Sequence, residues 1–301
     1  LNGPGSLSAM ANNLSSLPLE SAHHRPLMSY DGMGKQRQFW ATGDFGASSR
    51  QTDRRTSFGE VGASQTYGET LVGVAVGTAL QTQDLLFGGD AKITGQTFMA
   101  EIDTRLADKE SILSLLVLRG EWDAQTARGY VTGGGVDYSH GETDLQSTSV
   151  RLRYDTPVLT KALGAEIKAY LSGSLSKAQS DAYAETGGSF AGSFSEMVQT
   201  AKEGRLGIAA TRSFTEKLRG RLSVEWIRRF DSDQAVLTAT DITSTLDLSL
   251  PGAAVQRDQA RFGFDLDYLM DAKTTLSFTV HAAGRGESPD VSGAVSIRRA
   301  F

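Results

Sequence analysis

The sequence predicts an all-β chain: a transmembrane antiparallel barrel of about 12 strands with an N-terminal α-helix inside its pore. Three observations point there. From Gln36 onward apolar and polar residues alternate in segment after segment, with no helical stretch between them. The connections alternate between tight turns and long polar loops, and the long ones all fall at one end. The last segment, 291–301, sets Val291, Gly293, Val295, Ile297, Arg299 and Phe301 on one face against Ser292, Ala294, Ser296, Arg298 and Ala300, and finishes on an aromatic. A barrel closes with its last strand, and a terminal aromatic suits the boundary between lipid and water.

Composition agrees. No apolar run approaches the ~18 residues of a membrane-spanning helix. The longest run, 113–118, is interrupted by Ser114. Barrel strands need only half their residues apolar, which a hydrophobic content of 39% allows. A net charge of −5 without a basic patch argues against nucleic acid. With no Cys, neither disulfides nor thiolate metal sites exist, which suits passage through an oxidising periplasm. No signal peptide opens the chain, so an exported protein is expected to be represented by a mature or excised portion of something longer.

Residues 1–35 form a first unit, linker and pore helix, and 36–301 the barrel. Leu7, Met10, Ala11, Leu14 and Leu17 recur at helical spacing; Ser6 is placed to cap the helix and Pro18 to end or bend it. The opposite face carries Ser8, Asn12, Ser15 and Ser16, small uncharged groups suited to a polar lumen, with Asn13 beside them.

In the first strand Phe39, Ala41, Gly43 and Phe45 oppose Trp40, Thr42 and Asp44. Strands follow at 56–66 and 70–83, the latter setting Val72, Val74 and Val76 against Gly73, Ala75, Gly77 and Ala79. At 93–106 Phe98, Ala100 and Ile102 oppose Glu101, Asp103 and Arg105. The segment 111–123 is apolar on both faces over 112–118, so its register stays open. Strands at 145–155 and 165–176 direct Val150, Leu152, Tyr154 and then Ile167, Ala169, Leu171 outward. Those at 199–213 and 217–230 oppose Leu206, Ile208, Leu222, Val224 and Trp226 to Arg205, Arg219, Arg221 and Glu225. Around 261–268 and 273–282, Phe262, Phe264, Phe278 and Val280 oppose Asp265, Asp267 and His281. The long connections are 48–55, 84–92, 124–144, 177–198, 231–259 and 284–289; the others, such as 67–69 and 214–216, are mostly tight turns.

A short helix, then Phe39-Trp40-Ala-Thr-Gly-Asp-Phe45-Gly46, then the Gly-rich pair around Gly59, Gly62, Gly73 and Gly77, then closure on Phe301: this order resembles the translocator (β-domain) of classical autotransporters, the type V secretion family, over nearly the whole chain. Arg299 departs from the apolar residue usual there, although Arg can snorkel to the boundary. The resemblance implies a bacterial outer-membrane translocator that anchors and exports an N-terminal passenger, its helix left behind as a plug. Long loops would be extracellular and Phe301 periplasmic. The implied partners are outer-membrane lipid, the barrel-assembly machinery, reading Gly293, Val295, Ile297 and Phe301, and the chain's own passenger. A monomer without cofactor is expected. The alternatives are a stand-alone outer-membrane channel or a barrel enzyme.

The period itself gives the lumen: Gly73, Ala75 and Gly77 leave room for a helix, while Glu101, Asp103, Arg151, Arg153, Arg219, Arg221, Glu225, Asp265 and Asp267 line a wet interior. Facing lipid at mid-depth, each Arg or Lys would cost ~2–4 kcal/mol. No HExxH or GxSxG motif is present, and His23, His24, His140 and His281 fall in the link, a loop and a strand with no expected metal or catalytic convergence. The dipeptide Asn12-Asn13 has one chemical alternative to being ordinary polar-face residues: self-cleavage with Asn12 as nucleophile, assisted by lumen acids.

Overall fold

Twelve antiparallel strands close on themselves in the computed structural model. It describes residues 7–30, 37–48, 53–230, 236–241, 247–251, 257–284 and 290–301. The expected Ser6 cap, the end of the link at 31–36 and the connection at 285–289 lie outside them.

The barrel strands are β1 (Arg37–Ser48), β2 (Arg54–Tyr67), β3 (Thr70–Asp84), β4 (Asp90–Arg105), β5 (Ile112–Thr132) and β6 (Gly135–Asp155). They continue as β7 (Ala165–Ser180), β8 (Met197–Ser213), β9 (Leu218–Arg229), β10 (Asp258–Leu269), β11 (Thr274–Gly284) and β12 (Asp290–Ala300). Each pairs with its sequence neighbours, and β12 returns to β1 with Phe39 opposite Arg299 and Phe45 opposite Gly293. The seam continues past the ladder: Phe301 N–H donates to Arg37 O at 3.0 Å, and the Phe39 and Phe301 rings meet edge to face at 5.3 Å. Closure leaves no strand edge in lipid, which is the condition for β-structure to cross a membrane.

Burial is inverted relative to a water-soluble domain. Phe98, Leu152, Leu171, Ile208, Leu222 and Phe262 are exposed on the outer face, whereas Glu101, Asp103, Arg151, Arg153 and Asp265 are buried within. At the end of the barrel that carries the start of β1, the turns are tight. Gly68 takes φ +59° in the β2–β3 turn, and Asp108 accepts the N–H groups of Glu110 (3.0 Å) and Ser111 (2.8 Å) in the β4–β5 turn. The β6–β7 connection adds a short strand, Thr160–Ala162, paired to the start of β7.

Three expectations are corrected. The connection expected at 124–144 is mostly ladder: β5 and β6 stay paired out to Thr132 opposite Gly135. Past Trp122 the outward residues Asp123 and Gln125 are polar, so the apolar period fades although the hydrogen bonds continue. Likewise 177–198 and 231–259 contribute Tyr183–Ala184, Gly192–Phe194, Val236–Asp241 and Asp247–Pro251 to a small second sheet. The helix α1 (Leu7–Glu20) runs two residues beyond Pro18. A proline in the last turn forfeits one hydrogen bond, and the turn is otherwise kept by Ser21 N–H on Leu17 O at 2.9 Å.

The open register of β5 is resolved. Ile112, Ser114, Leu116, Leu118 and Trp122 face inward, and Leu113, Leu115 and Val117 face outward. Both faces are apolar because one meets lipid and the other meets the plug.

Candidate functional site

The lumen holds α1 and the link after it, and its lining divides into levels that match successive residues of that segment. Leu7, Met10, Ala11, Leu14 and Leu17 pack on an apolar wall made of Phe58, Ala79, Ile93, Trp122, Ala124, Leu145 and Ala178. Period-two reading places Ala79, Ile93 and Leu145 inside; it leaves the face of Trp122 open and Ala124 and Ala178 in connections, and it does not gather these residues on one level. Ser15 Oγ lies 2.5 Å from Ser147 Oγ, which also accepts the Trp122 Nε1–H at 2.8 Å. Asn12 is buried with both side-chain amide atoms unpartnered among the described residues, and Asn13 is partly exposed.

The direction of the plug follows from β6. Ser15, the Leu19 carbonyl and the His24 carbonyl meet Ser147, Arg151 and Arg153 in turn. Since β6 runs from the long-loop end to the end bearing Phe301, so does α1.

Below the helix the chemistry turns ionic. The last carbonyls of an α-helix lack internal partners and carry its negative dipole end. Here guanidinium groups supply the donors, Arg151 to Leu19 O at 2.5 Å and Arg261 to Glu20 O at 2.7 Å; in the link beyond the helix, Arg153 donates to His24 O at 2.8 Å. The Glu20 side chain pairs with Arg205 at 2.5 Å and Arg261 at 3.2 Å. Arg261 in turn grips Glu225 with two hydrogen bonds, at 2.6 and 2.9 Å. On the opposite wall carboxylates receive the link. Glu60 accepts Trp40 Nε1–H at 2.7 Å and meets His23 Nε2 at 2.8 Å. Glu101 accepts Leu27 N–H and Asp103 accepts Met28 N–H, both at 2.8 Å. On β10, the strand that also carries Arg261, Asp267 holds Arg25 bidentately at 3.0 Å. Leu19, Leu27 and Met28 fill a second apolar pocket with Trp40, Leu71, Met99, Leu116 and Leu118. Nearer the end, Tyr30 lies between the Arg25 guanidinium, 4.0 Å from the ring centroid, and that of Arg298, at 3.6 Å.

Of the residues anticipated on the lumen face, Glu101, Asp103, Arg151, Arg153, Glu225 and Asp267 reach this segment directly or through Arg261. Arg221 reaches it through Asp265, at 3.2 Å. Arg219 shares the face of Arg221 but is exposed at the start of β9. The glycines do more than leave space: a Cβ at Gly73 would meet Leu27, one at Gly77 the Phe58 ring, and one at Gly62 the Trp40 ring. Gly293 lies under the Phe45 ring on the outer face, where Val295, Ile297 and Phe301 are exposed. Arg299 shares that outer face, its guanidinium 5.7 Å from the Phe301 ring centroid. Glu20, Glu60 and Arg261 were not singled out from sequence, although parity puts Glu60 and Arg261 inside. The histidines differ from expectation as well: His24 and His281 come together, with ring centroids 4.7 Å apart.

The autotransporter beta-domain family model matches residues 37–281. No curated protein matches by sequence. Among solved structures, the translocator domain of the autotransporter NalP from Neisseria meningitidis is similar at a TM-score of 0.73 and 15% identity, covering 99% of this chain and 96% of that one. The beta domain of the Bordetella autotransporter BrkA gives 0.59 and 15%, covering 88% and 100%. The transport unit of AIDA-I from Escherichia coli gives 0.53 and 9%, covering 97% and 98%. With the family model spanning most of the chain and the fold matched from helix to last strand, the chain belongs to the autotransporter beta-domain family and is an outer-membrane translocator domain.

Proposed function

We propose that residues 36–301 anchor the protein in outer-membrane lipid as a monomer, and that residues 1–35 are the trailing segment of a passenger exported through this barrel, left in the lumen as a plug. The observation that carries this is the direction of α1, whose N-terminal end faces the long loops, so chain preceding Leu7 would emerge there. The long-loop end is then extracellular and Phe301 periplasmic. In this reading the outward row Val295, Ile297 and Phe301, with Gly293 beneath Phe45, is what the barrel-assembly machinery reads. The ion pairs and capped carbonyls hold the plug after transit, which favours a translocator over a stand-alone channel. No enzymatic chemistry is assigned to the family fold. The test is export: a reporter domain fused ahead of Leu7 should become protease-accessible on intact cells. A reporter kept in the periplasm by a folded barrel would refute the proposal.

Asn12 supports one second reading, self-cleavage by its side-chain amide, because neither of its amide atoms is engaged by a described residue. An unchanged fragment pattern in Asn12→Ala would remove it.

A further inference from the structure

His24 on the link, Asp265 on β10 and His281 on β11 are all buried, and one potential ligand atom from each lies within 4.8 Å of the others. The hydrogen bonding of this trio is incomplete in a specific way. His24 Nδ1 is 2.6 Å from the Ser21 carbonyl, an acceptor, so Nδ1 carries the proton. In the neutral ring Nε2 then presents a lone pair, and it lies 2.9 Å from Asp265 Oδ1, a second acceptor. Two acceptors at that distance require something positive between or beside them. His281, 1% exposed, has no hydrogen-bond partner at either ring nitrogen among the described residues. Its edge-to-face contact with His24 brings it to the same spot.

The surrounding charges are already engaged. Arg221 pairs with Asp265 Oδ2 at 3.2 Å, Arg25 with Asp267 and Arg261 with Glu225. Thr279 Oγ1 donates to Asp265 Oδ1 at 2.8 Å, fixing the carboxylate as second-sphere partners do at metal centres. The Ser21 carbonyl does the same for His24 by setting its tautomer. Two neutral imidazoles and one carboxylate form a donor set for a borderline divalent ion, with water as a fourth ligand, and not for Mg²⁺ or Ca²⁺, which take oxygen. Tetrahedral bonds of about 2.0–2.2 Å place ligand atoms roughly 3.3–3.6 Å apart, within reach of small side-chain rotations from the present positions.

We propose that His24, Asp265 and His281 bind a divalent cation of the Zn²⁺ class, which ties the plug link to the barrel wall. One ligand comes from the plug and two come from adjacent strands, so the ion would fasten the link only when the plug is seated.

The test uses the full chain without a histidine tag, folded in detergent, stripped with EDTA and titrated calorimetrically with ZnCl₂, with MgCl₂ in parallel. One equivalent of Zn²⁺ and no Mg²⁺ should bind. Binding should be lost in His24→Ala and in His281→Ala but kept in His140→Ala, each variant first checked for heat-modifiable migration. Absence of stoichiometric Zn²⁺ binding, or binding that survives loss of either His24 or His281, overturns the proposal. Should the variants fail to fold, the unaltered chain decides. Stoichiometric Co²⁺ should give the intense visible absorption of a four-coordinate site, and Zn²⁺ should slow amide exchange over residues 21–28. Failure of both overturns the proposal.

Discussion

Leu14 is fully buried in the apolar wall and takes no part in any strand ladder. Truncating it to Ala should therefore loosen the plug and leave the barrel closed. Buried Leu→Ala changes cost about 2–5 kcal/mol, depending on how far the cavity collapses. If that cost falls on undocking the helix, the population of undocked plug rises roughly 30- to 4,000-fold at 1.4 kcal/mol per decade. Amide exchange of folded detergent-solubilised protein reads this directly, because protection of residues 7–20 reports the opening free energy. The acceleration should be steepest near Leu14 and fall off toward Arg25, which stays held by Asp267. It should stop at the free-peptide rate once the helix is mostly undocked. Strand amides in β1 and β12 should not change. Unaltered exchange in the helix, or equal acceleration in helix and strands, would refute the separation of plug energetics from barrel closure.

Further perturbations test other links in the reasoning. Val224 lies mid-strand on the outer face of β9, so Val224→Arg should destabilise the protein in lipid vesicles by ~2–4 kcal/mol; Leu163→Arg, in an exposed turn, should cost about 0–1. Equal denaturant midpoints for the two would remove lipid from that face. Gly62→Ala drives a methyl into the Trp40 ring and should cost about 1–3 kcal/mol, with a shift in Trp emission as Trp40 leaves Glu60. A silent substitution would mean that the ring is not seated there. Deleting residues 7–28 should raise single-channel conductance sharply in planar bilayers, and an unchanged conductance would show that this segment does not block the pore.

How much of this was legible in the sequence varied with the kind of interaction. The strand faces were legible because period two is exact: once Phe39 is outward, Trp40 is inward, and the same parity places Leu222 outside and Arg221 inside. The helix was legible from Leu7, Met10, Leu14 and Leu17, and the tight turns from the brevity of 67–69 and 214–216. The ladder beyond Trp122 was not, because hydrophobic period reports the lipid band and not the extent of hydrogen bonding.

The remainder is a matter of level. Parity says that Arg151, Arg153, Arg205 and Arg261 face inward. Only barrel closure and the strand registers bring them, from β6, β8 and β10, to the depth of the end of α1 and the start of the link, where Arg151 and Arg261 meet helix carbonyls, Arg205 the Glu20 carboxylate and Arg153 the His24 carbonyl. The same holds for Glu60, Glu101 and Asp103, which meet link groups from one side, and for His24 and His281, separated by most of the chain yet in ring contact. A one-dimensional pattern determines which face of a strand a residue takes. The shear of a closed barrel decides which residues share a height within it, and that is set by tertiary structure alone.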